Sequence, residues 1–202
     1  MKGWWYSIPK AFTPLECAEL VAYAQTKPAQ AATIGHGGKL AADQMRRSTV
    51  RWLDAADAHL LPLTARLNKM LLEANSKMFG VDYHGFHELQ FTEYNANNEG
   101  HYDWHEDNCW KPAPERHEPW DRKLSLVVQL SAAEAYQGGR LELDRDPLPQ
   151  DRFTQQGDVI VKVNGQDVYR VLNGVDKANY GRAHDIAVAA GIKQVETDRL
   201  AA

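Results

Sequence analysis

The sequence has few cysteines, no long apolar run and no leader-like start. Cys17 and Cys109 are the only cysteines, too few for a disulfide framework and suited to a reducing compartment. No apolar run approaches the ~20 residues that a membrane span needs. The first residues lack the apolar stretch of a secretion signal. We therefore expect a cytoplasmic protein that does not enter the membrane.

The sequence also lacks an excess of positive charge. Its 23 Lys and Arg residues against 27 Asp and Glu residues give a formal net charge of −4. No basic stripe stands out, so we expect no nucleic-acid partner. Hydrophobic residues make up 44% of the 202 residues and charged residues 25%, which is ordinary for a globular protein. This apolar content can form one core without disulfides, and we predict a single domain over residues 1–202.

Helices are predicted in the N-terminal third. Thr13 and Glu16 have the spacing of a capping box, and the apolar positions after them predict a helix. A second helix is expected over about residues 56–79, with Pro62 inside its first turns or displacing its start. Gly80 is predicted to cap its end. Ala, Gly and polar residues between the two helices, at 26–44, predict a mobile loop that ends before a short strand.

Short strands dominate the rest of the chain. Alternating or continuous apolar residues predict them at 48–53, 88–94, 124–130, 140–143 and 159–161. Helices followed by several short strands favour an α+β protein with a β-sandwich or jelly-roll core.

The densest cluster of chemically reactive side chains follows the second of these strands. Alternate residues of a strand share a face, which would point four side chains one way: His101, Asp103, His105 and Asp107. A His-x-Asp pair aims an imidazole and a carboxylate at one point. A second histidine from a distant strand would complete a facial triad, which suits non-heme Fe(II) oxygenases. The alternative is a solvated polar edge of a sheet, since His-x-Asp is a common pattern.

The motifs around this cluster extend the pattern in chain order. Residues 94–107 carry tyrosine, glycine, tryptophan and then His-x-Asp, and residues 122–131 form an apolar strand. Residues 136–143 read Tyr-x-Gly-Gly-x-Leu-x-Leu, and a Gly-Asp strand follows at 157–161. This ordered set resembles the Fe(II)/2-oxoglutarate-dependent dioxygenases of the prolyl-4-hydroxylase-like branch. The resemblance extends over about residues 4–161.

The resemblance implies a fold and an activity. The expected fold is α+β: a double-stranded β-helix (jelly-roll, cupin-like) barrel with N-terminal helices packed on it. Its core would be residues 80–161, and residues 162–202 would be divergent. The implied function is Fe(II)- and 2-oxoglutarate-dependent hydroxylation of a C–H bond in an amino-acid, peptide or protein substrate. O₂ would be the cosubstrate, and ascorbate would assist.

The resemblance also implies site residues. His105 and Asp107 become iron ligands, and Tyr94 stands where the family often has a tyrosine that contacts 2-oxoglutarate. His101 and Asp103 become neighbours of the site rather than ligands. The loops at about residues 30–46 and 108–121, which would select a small-molecule or peptide substrate, carry no motif that identifies it.

The C-terminal part departs from the family pattern. Where the resemblance predicts the second metal histidine, this chain has Tyr169. In one interpretation His184 closes the triad and Lys193 binds the distal carboxylate of 2-oxoglutarate. In another, this part has diverged and the barrel does not bind iron in the usual way. A third has another ligand such as Tyr169. Alanines around His184 favour a helix, on which it would be a surface residue.

Two further functions follow from this departure. One is a non-catalytic binding module, an oxygenase-like barrel that has lost its metal. The other is a cupin-like metal isomerase or binding protein, which would bind a metal ion but never consume 2-oxoglutarate.

Overall fold

A computed structural model describes most of the chain between residues 5 and 193. The described residues are 5–33, 45–81, 83, 85–105, 107, 120–143, 155–163, 169–172 and 182–193. For 86–88, 120–121, 142–143, 163, 169–172 and 182–193 the description is of the backbone. The predicted substrate loops lie largely outside these residues. Among the described residues, no helix has the length and apolar character to cross a membrane.

Two α-helices precede most of the strands. The helices are α1 (Pro14–Gln25) and α2 (Leu61–Ala74). The described strands are β1 (Trp5–Ile8), β2 (Gln30–Ala31), β3 (Arg46–Arg47), β4 (Thr49–Leu53), β5 (Phe86–Asn95), β6 (His101–His105), β7 (Trp120–Gln129), β8 (Arg140–Leu143), β9 (Val159–Val163), β10 (Tyr169–Leu172) and β11 (Arg182–Lys193).

The strands form two antiparallel sheets. The larger sheet has the order β1-β9-β7-β11-β5-β4-β2, and the smaller has the order β3-β6-β10-β8. Leu141 of the smaller sheet packs against Val127 and Ile160 of the larger one, so the two sheets face each other there. Helices with antiparallel sheets confirm the α+β class.

The helices cover the other face of the larger sheet. On β7, alternate residues point to opposite sides. Leu126 and Val128 belong to the core that also contains Leu67 and Leu71 of α2. Ser125 and Val127 lie on the opposite face, toward the smaller sheet. The alternation of β7 therefore separates a structural face from a face that is available to a site.

The capping box is confirmed, whereas the start of the second helix differs from the prediction. Thr13 N donates to Glu16 Oε2 (2.7 Å), and Glu16 N donates to Thr13 Oγ1 (3.2 Å). Helix α2 begins at Leu61 because Pro62, which lacks an N–H, is accommodated in a first turn. A π-helical turn follows α2 and ends at Gly80, whose φ of 67° confirms it as the cap.

Gly157 fixes the N-terminal segment to the larger sheet. It has φ +86°, and a Cβ there would lie 1.8 Å from the carbonyl oxygen of Phe12. Phe12 N donates to Gly157 O (3.0 Å), and Lys10 N donates to Asp158 Oδ1 (2.9 Å). Only glycine permits this approach and this backbone conformation together.

Two local predictions were wrong. The segment predicted as a loop at 26–44 contains β2, which pairs with β4. The segment around His184 is strand β11 rather than a helix, because it pairs along its length with β5 on one side and β7 on the other. Such pairing overrides the helix propensity of alanine.

Candidate metal centre

A β-bulge sets the direction of the histidine at the end of β6. Tyr169 pairs with His105, and Val171 pairs with Tyr102, so two residues of β6 lie opposite one residue of β10. A bulge of this kind changes the alternation of side chains along a strand. As a result Asp103 is exposed, whereas His105 stacks on Tyr102 with ring centroids 3.3 Å apart. The predicted alternation therefore breaks between Tyr102 and His105.

Arg46 of the neighbouring strand completes the stack. Its guanidinium lies over the ring of Tyr102, 4.5 Å from the centroid. Arg46 Nη2 donates to Gln90 Oε1 and its Nε donates to Ser48 Oγ, both at 3.1 Å. Since these bonds fix the guanidinium, they also restrict the tyrosine and, through it, the imidazole of His105.

A backbone hydrogen bond selects the tautomer of His105. Its Nδ1 lies 2.7 Å from the carbonyl oxygen of Asp103. A carbonyl oxygen only accepts, so Nδ1 carries the proton, and in the neutral ring Nε2 keeps its lone pair. Nε2 lies 3.6 Å from Asp107 Oδ1. This arrangement, a backbone carbonyl orienting an imidazole whose other nitrogen faces a carboxylate, is typical of metal-binding histidines.

The carboxylate of Asp107 lies among donors from the larger sheet. Ser125 Oγ donates to Asp107 Oδ2 (2.6 Å), and Lys162 Nζ lies 3.1 Å from the same oxygen. Arg122 Nη1 lies 3.9 Å from Oδ1. The side chains of Asp107 and Lys162 are 11% and 2% exposed, so water screens this pair poorly.

These surroundings determine the charges of the pair. Burial raises the pKa of Asp107, but the Lys162 ammonium and the Arg122 guanidinium hold it well below its ordinary value. Burial lowers the pKa of His105, and this outweighs the opposing effect of Asp107. The site therefore contains a carboxylate and a neutral imidazole, the protonation states in which these groups bind metal ions.

His105 and Asp107 fit two of the three positions of a 2-His-1-carboxylate iron site. Within the part of the chain that the structure describes, no group of three His, Cys, Asp or Glu side chains could hold a metal ion. The two candidates for a third donor differ in their register. Tyr169 pairs with His105 itself, whereas His184 pairs with Glu93 on β5. The structure thus brings position 169, and not position 184, next to the backbone of His105.

The two residues predicted to bind 2-oxoglutarate lie far apart: Tyr94 is beside the first residues of β11, and Lys193 is its last residue. Tyr94 is buried on β5 and pairs with Ala183. Lys193 pairs with Trp120 at the start of β7. Ala183 and Lys193 are ten residue steps apart on β11, about 33 Å at ~3.3 Å per residue. Gly191, two residues before Lys193, pairs with Arg122, the residue whose Nη1 lies 3.9 Å from Asp107 Oδ1.

The sequence analysis missed the partners of Asp107. Arg122 and Ser125 fell in the predicted strand at 122–131 and Lys162 in the part called divergent, and none of them was given a role. A signal for one of them existed, because Lys162 interrupts the apolar run of β9 (Val-Ile-Val-Lys-Val), and a lysine is almost never fully buried unless it is paired. Of the remaining histidines in the cluster, His101 is half-buried, and its Nδ1 lies 2.8 Å from the carbonyl oxygen of Glu99.

Comparison with known proteins finds one matching family. The family described as the 2OG-Fe(II) oxygenase superfamily matches residues 89–183, from β5 to the start of β11. Over this region the chain is similar to the 2OG-Fe(II) oxygenase superfamily, as the sequence motifs predicted. The family implies a jelly-roll fold and, in general, Fe(II) and 2-oxoglutarate. No curated protein matches the sequence.

Solved prolyl hydroxylases share the fold at low sequence identity. A Pseudomonas putida prolyl-4-hydroxylase is 18% identical, with a TM-score of 0.66 and coverage of 92% of this chain and 91% of the other. A Trichoplax adhaerens prolyl hydroxylase, solved with a hypoxia inducible factor oxygen degradation domain peptide fragment, is 11% identical, with a TM-score of 0.69 and coverage of 98% and 87%. The viral collagen prolyl hydroxylase from Paramecium Bursaria Chlorella virus-1, in its 2OG complex, is 15% identical, with a TM-score of 0.62 and coverage of 94% and 96%.

Proposed function

We propose that the protein is an Fe(II)- and 2-oxoglutarate-dependent dioxygenase that hydroxylates a C–H bond of an amino-acid, peptide or protein substrate. The observation that carries the proposal is the buried approach of His105 Nε2 to Asp107 Oδ1, at 3.6 Å. The two groups have the donor atoms and charges that a ferrous ion requires. They lie in the region, residues 89–183, that matches the 2OG-Fe(II) oxygenase superfamily.

In this proposal His105 and Asp107 hold the iron through Nε2 and a carboxylate oxygen. Bound iron supplies the activation of O₂, coupled to the oxidative decarboxylation of 2-oxoglutarate to succinate and CO₂. The backbone carbonyl of Asp103 and the ring of Tyr102 keep the imidazole in the binding orientation. The register supports position 169 over position 184 as the source of a third donor, because Tyr169 pairs with His105.

The cosubstrate would lie between the two sheets. Of the two candidates for binding 2-oxoglutarate, the register favours Lys193. It pairs with Trp120, two residues from Arg122, and Arg122 Nη1 lies 3.9 Å from Asp107 Oδ1. Tyr94 is buried, but it lies level with the other end of β11. An ammonium can donate charge-assisted hydrogen bonds to the distal carboxylate.

The remaining features of the proposal concern shape and substrate. We infer that the two facing sheets form a closed double-stranded β-helix in a single domain over residues 1–202, with α1 and α2 packed on its outer face. A peptide substrate is supported by the Trichoplax adhaerens prolyl hydroxylase, whose structure contains a peptide fragment. We place the protein in the cytoplasm.

Turnover of 2-oxoglutarate tests the function. Purified protein is incubated with Fe(II), ascorbate, 2-oxoglutarate and O₂, alone and with pools of amino acids and of proline-containing peptides. We expect succinate to form above the rate of a His105→Ala control, and a pool that contains the substrate to raise that rate. Folded wild-type protein that forms no more succinate than the control would contradict the proposal.

A second function, a non-catalytic binding module, has its own support. The Lys162 ammonium lies 3.1 Å from Asp107, and tyrosine rather than histidine stands opposite His105. A protein of this kind keeps the fold and has no need of iron. Stabilisation by metal ion and 2-oxoglutarate in a thermal unfolding assay separates the two functions, because only the dioxygenase should show it.

A further inference from the structure

Lys162 is a buried lysine at a fixed place in the larger sheet. Strand β9 lies between β1 and β7, and Lys162 pairs with Trp5 on one side and with Ser125 on the other. Its side chain is 2% exposed. Because the backbone is held from both sides, the position of the ammonium depends on the rotamers of the side chain alone.

The ammonium and a hydroxyl donate to the same oxygen of the proposed metal ligand. Lys162 Nζ lies 3.1 Å from Asp107 Oδ2, and Ser125 Oγ lies 2.6 Å from it. The other oxygen, Oδ1, faces the imidazole of His105. A divalent ion bound between His105 and Asp107 would therefore lie close to a buried positive charge, and repulsion between buried like charges is strong.

We propose that Lys162 is an internal counter-cation of Asp107 that competes with the metal ion, and that it thereby sets the affinity of the site for divalent cations. The inference rests on the proposed function, because it concerns the same site. In the metal-free protein the ammonium neutralises the buried carboxylate. Binding of a divalent ion requires the ammonium to move away from Asp107, or to remain as a nearby like charge, and either change weakens binding.

Calorimetric titration with Mn(II), which replaces Fe(II) without oxidation in air, tests the competition. The proteins are wild type, Lys162→Met and a matched control, Lys69→Met, which removes a lysine from the exposed face of α2. We expect Lys162→Met to bind Mn(II) at least about tenfold more tightly than wild type. Lys69→Met should bind like wild type, since an exposed charge on α2 is screened.

The outcomes separate this inference from the proposed function. Mn(II) binding to wild type with no gain in Lys162→Met overturns the role of Lys162 and leaves the dioxygenase in place. Mn(II) binding to Lys162→Met but not to wild type supports the competition and contradicts the proposal that the wild-type protein is a dioxygenase. Absence of binding to both proteins overturns both proposals.

A measurement on the wild type covers the case in which Lys162→Met does not fold. Nitrogen-15 NMR of lysine side chains detects ammonium groups whose protons are protected by burial. We expect the signal of Lys162 to shift or lose its protection when Zn(II), a diamagnetic ion, saturates the site. An unchanged signal at saturation would contradict displacement or perturbation of the ammonium.

Discussion

Tyr169 of β10 pairs with His105 of β6 across the bulge that redirects the histidine. The family resemblance predicted a histidine at about position 169, so the chain has a phenol where an imidazole was expected. A phenolate oxygen can bind iron, as tyrosine does in some haem proteins. The pairing makes position 169 the place at which to alter the metal site.

Substitution at position 169 should change metal affinity more than substitution at position 184. We expect Tyr169→Phe to weaken Mn(II) binding at least about tenfold, since even outer partners of a metal site contribute 10–100-fold. Tyr169→His should bind more tightly than Tyr169→Phe. His184→Ala is the matched comparison and should bind like wild type in calorimetry. A loss in His184→Ala alone would instead identify the β11 histidine as the third ligand.

The His-x-Asp pair itself should be indispensable for turnover. We expect His105→Ala and Asp107→Asn to reduce succinate formation to background, because each removes one of two adjacent donors. His101→Ala should keep most of the activity, since His101 contacts the backbone of Glu99 rather than Asp107. Circular dichroism confirms that each variant is folded. Full activity in the His105 variant would refute its assignment as a ligand.

The basic residue for the cosubstrate should be Lys193 rather than Arg182, because Lys193 pairs with Trp120 at the end of β7 that carries Arg122. We expect Lys193→Met to weaken 2-oxoglutarate binding by about tenfold or more, because it loses a charge-assisted pair with a carboxylate. Arg182→Met should have a dissociation constant close to that of wild type. Fluorescence or calorimetric titration in the presence of Mn(II) measures both. The reverse order of effects would place the cosubstrate near the other end of β11.

The capping box of α1 should stabilise the protein in a pH-dependent way. The backbone N–H of Thr13, the Arg66 guanidinium and the Thr13 hydroxyl lower the pKa of Glu16. A carboxyl whose pKa is lower in the folded state stabilises above its unfolded pKa of about 4.3, and this is lost as pH falls through the folded pKa. Glu16→Gln should cost about 1 kcal/mol at pH 7 and less below pH 4.

Urea unfolding of both proteins between pH 7 and pH 3 measures this difference. Glu19→Gln is the matched control, because Glu19 is exposed on the same helix. Its effect should be small at every pH. A Glu16→Gln penalty that does not change with pH would mean that the charge of the carboxylate plays no part in the cap.

Gly157 should tolerate no larger residue. We expect Gly157→Ala to destabilise the protein by more than the ~1–3 kcal/mol of backbone strain, because the new Cβ would also overlap the carbonyl of Phe12. Gly85→Ala separates the two effects, since Gly85 has φ +131° but no atom within 4 Å of a Cβ. The free energy of unfolding of Gly85→Ala should fall only by the backbone strain. If Gly157→Ala and Gly85→Ala lose the same free energy of unfolding, the segment at Phe12 has moved to accommodate the new Cβ.

Local sequence signals predicted much of the fold. The capping box at Thr13 and Glu16, the cap at Gly80 and the positions of β4, β5, β7, β8 and β9 depend on neighbouring residues or on simple alternation. The start of α2 was misplaced because Pro62 is compatible with several positions in a first turn. The motif order also led to the superfamily whose family model matches residues 89–183.

The remaining features depend on pairing between distant parts of the chain. The bulge that turns His105 toward Tyr102 exists only because the register between β10 and β6 shifts by one residue. The strand at His184 depends on two neighbouring strands, against the preference of its alanines for helix. The link between Lys162 and Asp107 joins two sheets. Each of these contacts joins residues that are far apart in the sequence, so no short segment of the sequence predicts it.

The position of β11 has a consequence for how the protein is made. It lies between β7 and β5, although it is the last described strand to be synthesised. Until it is inserted, the larger sheet consists of two separate halves, β1-β9-β7 and β5-β4-β2, each with an open edge. Such edges attract other chains, so the nascent protein depends on its final segment to escape aggregation. If synthesis stopped before residue 182, the two halves of the larger sheet would lack the strand that pairs with both of them.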